Sequence, residues 1–285
     1  MSTIMMSVPV AATLVLIAVI GHVMAFFWCL AARHEWKLSR RTIYALPFRR
    51  DQISRELRNS LHLPMHAAIL LVFLSLGFFA DRSPLSFVCS LLLTATWAEI
   101  WHYASHRAFH LRALHWIHVE HHKSQVNSPF TAISFSLTEK LVFDLGLLGL
   151  LAAIDCFISL NFFGVAAWYV GYLVINSFAH ANFELKSKHY LRFLGRVLTS
   201  TTYHSLHHAR YTSNYGLGTR VLDRICGTEW EDYERVYERL FSGQGPLTRL
   251  RQKIDAPSVN PRVAPSLDTA RLGKPFDVSR EGSTP

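Results

Sequence analysis

Charge is the scarcest commodity in this sequence. Only 17% of its 285 residues are Asp, Glu, Lys or Arg, while 50% are hydrophobic. Soluble globular chains carry about 25% charged residues, so the balance points to a membrane protein. Cysteine is scarce too. Cys29, Cys89, Cys156 and Cys226 form no CxxC pair, and three of them lie in apolar runs. That argues against a disulfide framework and against a thiolate metal site. Acidic residues are fewer than basic ones, giving a net charge of +9. The excess is not spread as a nucleic-acid interface would need. Arg33, Lys37, Arg40, Arg41, Arg49, Arg50, Arg55 and Arg58 crowd one loop between two apolar runs, opposed only by Glu35, Asp51 and Glu56. A basic block in that place reads as a cytoplasmic membrane-flanking loop in contact with anionic lipid headgroups, and nucleic acid is not expected as a partner.

Long apolar runs are plentiful. Residues 8–32 are uncharged and exceed the ~20 residues a spanning helix needs. No Lys or Arg precedes them, so a retained helix is expected, not a signal peptide. Further runs cover 64–80, 84–101, 137–160 and 162–179, with Asn161 interrupting the last two and Asp144 set in apolar sequence. With the basic loop inside and five spans, residues 102–136 and everything after residue 179 fall on the cytoplasmic side. The expected architecture is all-α: a polytopic membrane helical bundle with a cytosolic-side histidine-rich helical cap. Residues 1–90 carry the N-terminal spans and the basic loop, 91–235 the histidine-rich domain, and 236–285 a polar tail expected to lack fixed structure.

Histidine is what the chain has in excess, sixteen in all. His102, His106 and His110 are spaced four apart, the last two as HRAFH. His118-Val-Glu-His121-His122 is an HxxHH, and His204-Ser-Leu-His207-His208 is a second. His180 ends the fifth apolar run. Residues three and four apart share a helical face, so each cluster aims its imidazoles together. Imidazole suits iron, zinc and copper. His102, His106, His110, His118, His121, His122, His180, His204, His207 and His208 are the candidate metal ligands, and all but His102 are also assigned to catalysis. One zinc takes about four ligands; ten is too many for one ion and right for two. His34, His62, His66, His115 and His189 lie off the pattern and are expected to be packing or surface residues.

The order HxxxH, HxxHH, HxxHH resembles the fatty acid hydroxylase/sterol desaturase superfamily of membrane di-iron enzymes. Glu99 and Tyr103 before HRAFH, Ser128-Pro129-Phe130, Asn214-Tyr215-Gly216 and Asp223-Arg224-Ile225-Cys226-Gly227-Thr228 resemble the family's flanking motifs. Leu222 stands where an aromatic is usual, and Glu184 where some hydroxylases have a histidine. The resemblance implies two iron ions that use O2 to hydroxylate or desaturate a lipid C–H bond. A separate electron donor of cytochrome b5, ferredoxin or reductase type would feed them, since no HPGG heme-binding stretch is present. The Glu184 departure leans the expectation toward a sterol-type substrate drawn from the bilayer. Glu99, Glu120, Asn182 and Asp223 are candidate partners for imidazole N–H groups, and Trp97, Trp101, Phe135, Trp168 and Tyr172 candidate walls of the substrate path. Two rival readings remain open: a non-enzymatic membrane metal- or heme-binding protein, and a zinc lipid hydrolase, against which the absence of HExxH counts.

Overall fold

A computed structural model describes residues 7–255. Its regular elements are helical, with no β-strand among the described residues. In chain order they are α1 (Val8–Arg33), α2 (Gln52–Ser60), α3 (Met65–Ser75), α4 (Pro84–Phe109), α5 (His115–His122), α6 (Leu137–Asp155), α7 (Phe162–Ala179), α8 (Thr201–Arg210), α9 (Val221–Ile225) and α10 (Tyr233–Arg239). By length and composition, four segments can cross a membrane: Val8–Arg33, Gln52–Ser75, Pro84–Phe109 and Phe162–Ala179.

The expected fifth span, 137–160, is not among them. Its helix α6 carries Glu139, Lys140, Asp144 and Asp155, too polar for a lipid-facing span. The first three are buried against protein. α6 lies against α3 and α4, while α1 and α4 pack on α7. Buried Leu14, Ile17, Leu70, Leu147, Leu148, Leu151, Phe162 and Tyr169 form the shared core.

Local chemistry sets the helix ends. Ser83 Oγ accepts the Ser86 amide at 3.2 Å, with Pro84 at the first helical position of α4. Ser136 caps α6 through the Glu139 amide at 3.1 Å. Asn161 Oδ1 accepts the Phe163 and Gly164 amides at 2.8 and 3.3 Å, starting α7. Such caps satisfy amides that have no intrahelical partner. Asp155 fastens the far end of the bundle, taking the Leu160 amide at 2.6 Å and the Phe79 amide at 3.1 Å. Gly164 lets α7 approach α4: a Cβ there would come within 2.8 Å of Ser90 Cβ.

At the other end, α5, α8, α9 and α10 build a polar cap on the bundle. Its core joins Ile43, Tyr44, Tyr203, Leu206, Tyr233, Val236, Tyr237 and Leu247. Residues 236–255, expected to lack fixed structure, are packed into this cap. Tyr237 and Leu247 are fully buried, and the Ile254 amide bonds Asp232 at 2.9 Å. These are alternating apolar anchors that average composition hides. Residues 256–285 of the expected tail lie outside the described residues.

Candidate metal centre

The histidine clusters come from two short helices and the ends of two long ones. His106 sits in the last turn of α4 and His110 caps it. His118, His121 and His122 lie on α5, His180 caps α7, and His204, His207 and His208 lie on α8. The nine converge as two groups. One holds His106, His110, His118, His122 and His207; the other holds His121, His180, His204 and His208. Within each group the ligand-type nitrogens lie within 4.8 Å of one another.

Each HxxHH motif is divided between the groups. α5 gives its first and last histidines to the five-membered group and His121 to the other. α8 does the reverse, giving His207 to the first group and His204 and His208 to the second. Residues i and i+4 stack on one face of a helix while i+3 is rotated away by one flank, so one motif serves two points. His102 joins neither group. Its ring lies 5.1 Å from that of His106, and its buried Nε2 has no partner.

The proton positions follow from the partners. His106 Nδ1 lies 2.8 Å from Tyr215 O, and His121 Nδ1 3.1 Å from Ser134 O. His180 Nδ1 lies 2.9 Å from Asn176 O, His207 Nδ1 2.7 Å from Ser213 O, and His208 Nδ1 3.0 Å from Ser124 O. A carbonyl oxygen only accepts, so these five Nδ1 atoms carry the proton and donate it. His118 Nδ1 faces the Glu139 carboxylate at 2.5 Å. Burial holds the imidazoles neutral: desolvation pushes His180 down to about 4 and His110 down to about 2. His118, His121, His122, His204, His207 and His208 are held well below the ordinary imidazole value by the same cause.

A neutral ring protonated at Nδ1 presents a bare lone pair at Nε2. Yet His180 Nε2 lies 3.3 Å from His121 Nε2 and 3.2 Å from His208 Nε2. Lone pair faces lone pair there, which is no hydrogen bond. His106, His110 and His118 likewise bury an Nε2 with no partner. Both features are resolved by a cation at the centre of each group, and each donor set of four or five imidazoles suits a transition-metal ion. The residues present therefore fit two metal ions.

The expected carboxylate and amide partners are elsewhere. Glu99 accepts from Thr219 N and Oγ1 at 3.0 Å. Glu120 binds Asn59 and Lys123, and Asn182 binds Tyr44. Asp223 accepts from Tyr203, Thr228 and the Tyr215 and Gly216 amides, and reaches His106 only through the loop whose Tyr215 carbonyl it fixes. Glu184 is buried and takes Thr202 N and Oγ1, at 3.0 and 2.7 Å. The carboxylate that does meet a ligand histidine is Glu139, which carried no motif signal. Its position three residues into a capped helix, facing HxxHH, is a structural fact of α6 packing on α5.

Beside the histidines lies a narrow cavity of about 40 Å³, room for roughly three waters. Phe109, Phe135, Phe143, Tyr172 and Leu217 supply its apolar wall; His66, Glu139 and Lys140 supply polar edges. Of the aromatics expected on the substrate path, Phe135 and Tyr172 line it. Trp97 and Trp101 instead donate to Gly146 O and Phe143 O, and Trp168 stacks on Tyr172. His66, expected to be a packing residue, is tied to Asp144 at 2.7 Å, and Tyr169 donates to the same carboxylate at 2.9 Å.

Residues 91–228 match the fatty acid hydroxylase family model. Among curated relatives, the very-long-chain aldehyde decarbonylase GL1-6 of Oryza sativa subsp. indica is 29% identical over 76% of this chain and 35% of its own length. Protein CER1-like 1 of Arabidopsis thaliana is 32% identical over 52% of this chain and 24% of its own length. The very-long-chain aldehyde decarbonylase CER1 of Arabidopsis thaliana is 31% identical over 50% and 23%. The chain thus spans 23–35% of the length of these relatives. No solved structure matches it. The matched segment contains every histidine of both groups, and through that domain this membrane chain belongs to the fatty acid hydroxylase superfamily.

Proposed function

We propose that the chain is a membrane-bound di-iron oxidoreductase acting on a lipid, with O2 and electrons from a separate donor. His106, His110, His118, His122 and His207 would hold one iron, and His121, His180, His204 and His208 the other. When bound, the iron pair would supply O2 activation and the oxidation of an unreactive C–H or aldehyde carbon. The observation that carries the reading is the set of bare, mutually facing Nε2 atoms, which a cation at the centre of each group would satisfy together.

The chain's own residues do the rest. Backbone carbonyls hold five Nδ1 protons and Glu139 the sixth, fixing ring tautomer and orientation. Burial of eight of the nine rings, His110 being half-buried, keeps bulk water from the reacting centre. The apolar wall of Phe135, Phe143 and Tyr172 would steer a chain toward His106, His118 and His121, which edge the same cavity. In this arrangement the cavity receives the end of a linear chain and has no room for a fused ring system. The names of the curated relatives, very-long-chain aldehyde decarbonylases, favour the same substrate shape over the sterol type. The basic loop 33–58 supports a cytoplasmic position for the cap, where an electron donor has access.

The test is lipid profiling of a host with and without the gene, followed by turnover of the altered lipid by purified iron-loaded protein. Product that needs O2 and a reductant is expected. Product formed anaerobically without reductant would point to a hydrolase and overturn the proposal.

A further inference from the structure

Lys140 is the one lysine on the wall of the cavity, and it is nearly without partners. It is 2% exposed. An ammonium has three donors; the acceptor found for it is Ile133 O, at a long 3.4 Å. The Phe135 ring centroid lies 5.7 Å away. Lys140 forms no ion pair within 4.0 Å among the described residues. Asp144 is engaged with His66 and Tyr169, and Glu139 Oε1 with His118, while Glu139 Oε2 is buried without a partner and makes no ion pair with Lys140 within 4.0 Å. Burying a charge unpaired is costly, and a group entering the cavity with an oxygen acceptor would relieve it.

We infer that Lys140 anchors the carbonyl oxygen at the end of a linear acyl chain, holding that end beside His118 and His121. The inference rests on the reading of this cavity as the substrate site. Charge selects the head group. Asp144 lies four residues beyond Lys140 on the same helix, so an incoming carboxylate meets a negative neighbour. An uncharged carbonyl, as in an aldehyde or ester, takes the hydrogen bond without that repulsion. A hydrocarbon end leaves the ammonium unsatisfied, and discrimination of that kind is strong because the buried donor is then unpaired.

Hexadecanal with cyanoborohydride tests the placement on purified, membrane-reconstituted protein. The Lys140 amine attacks the aldehyde carbon and water leaves. Hydride from cyanoborohydride then reduces the imine to a stable secondary amine, read by peptide mass spectrometry. Lys140 is expected to be alkylated. Methyl hexadecanoate is expected to protect it at least tenfold better than heptadecane does, with hexadecanoate in between. Exposed Lys123 and Lys188 serve as unprotected controls. Labelling of those two with Lys140 untouched, equal protection by the ester and the alkane, or best protection by hexadecanoate would each overturn the inference. K140M should lose the adduct while retaining two metal ions per chain. The adduct needs neither metal, O2 nor the enzyme's electron donor, its hydride coming from cyanoborohydride, so a chain that labels as expected but shows no O2-dependent turnover would refute the proposed function and leave this site standing.

Discussion

Glu139→Gln isolates one metal group from the other. Glu139 is 5% exposed, and its carboxylate accepts the His118 Nδ1 proton at 2.5 Å. It is the one side-chain acceptor among the six fixed Nδ1 protons; the other five are main-chain carbonyls beyond reach of substitution. Glutamine keeps an acceptor oxygen but removes the charge. Hydrogen bonds to charged groups contribute about 1.5–3 kcal/mol against about 1 for neutral ones, so the loss is about 0.5–2 kcal/mol. Partners of this kind typically change metal affinity about 10–100-fold on mutation, which is about 1.4–2.7 kcal/mol. The two routes overlap near tenfold for E139Q, and E139A, which leaves Nδ1 unpaired, should fall nearer a hundredfold. His118 belongs to the five-histidine group alone, so one site weakens and the other holds. Titration of the purified protein with Co2+ against a competing chelator, followed by absorbance and metal analysis, resolves the two affinities. Equal weakening of both sites, or of neither, would refute the assignment of His118 and the reasoning about its proton.

Three further outcomes follow from the same geometry. His121→Ala removes a ligand from the four-histidine group and should abolish lipid turnover with membrane insertion intact; exposed His189→Ala should change stability by no more than about 0.5 kcal/mol and leave turnover unaltered. Acid should destabilise the cap. His180 has an ordinary value of 6.5 and is held to about 4 in the fold, so above 6.5 folded and unfolded chains are alike neutral, and below it the unfolded chain takes up protons first. Stability is then lost as pH falls from about 6.5 toward 4, and a thermal midpoint that rises over that window would contradict the buried, neutral assignment. Glu56→Ala should lower the thermal midpoint and the metal content together. Glu56 accepts from Ser124, Ser128, Thr131 and Gln52 at 2.6, 2.5, 2.7 and 2.9 Å, and leaving such buried donors unpaired costs about 1–3 kcal/mol each.

The convergence of the histidines was legible because helical spacing writes it into the sequence. HxxHH at 118–122 and at 204–208 needs only the 3.6-residue period to be read as a convergent donor set. What the period does not reveal is which partner each ring meets across the fold. His122 meets His207, 85 residues further on, while His121 turns to His180 and His208. The proton acceptors were invisible for a different reason: Tyr215, Ser134, Asn176, Ser213 and Ser124 act through their carbonyls, which every residue type has. Hydropathy found the bundle but counted α6 as a span, since Leu and Phe outnumber its charges. Burial of Glu139, Lys140 and Asp144 against neighbouring helices is a tertiary property that a window average cannot carry.

The fold and the metal centre are one arrangement seen from two ends. α5 and α8 each send ligands to both groups, so neither helix can shift to suit one ion without disturbing the other. The loops that hold the ring protons are fixed in turn by buried acids: Glu56 holds the hydroxyl of Ser124, whose carbonyl takes His208, and Asp223 holds the amide of Tyr215, whose carbonyl takes His106. Nine desolvated rings facing one another through lone pairs are unfavourable unless cations lie between them. Under the proposed function, binding free energy at such a site would be folding free energy, and the polar cap would draw stability from bound ions as well as from the buried Tyr203, Tyr233 and Tyr237.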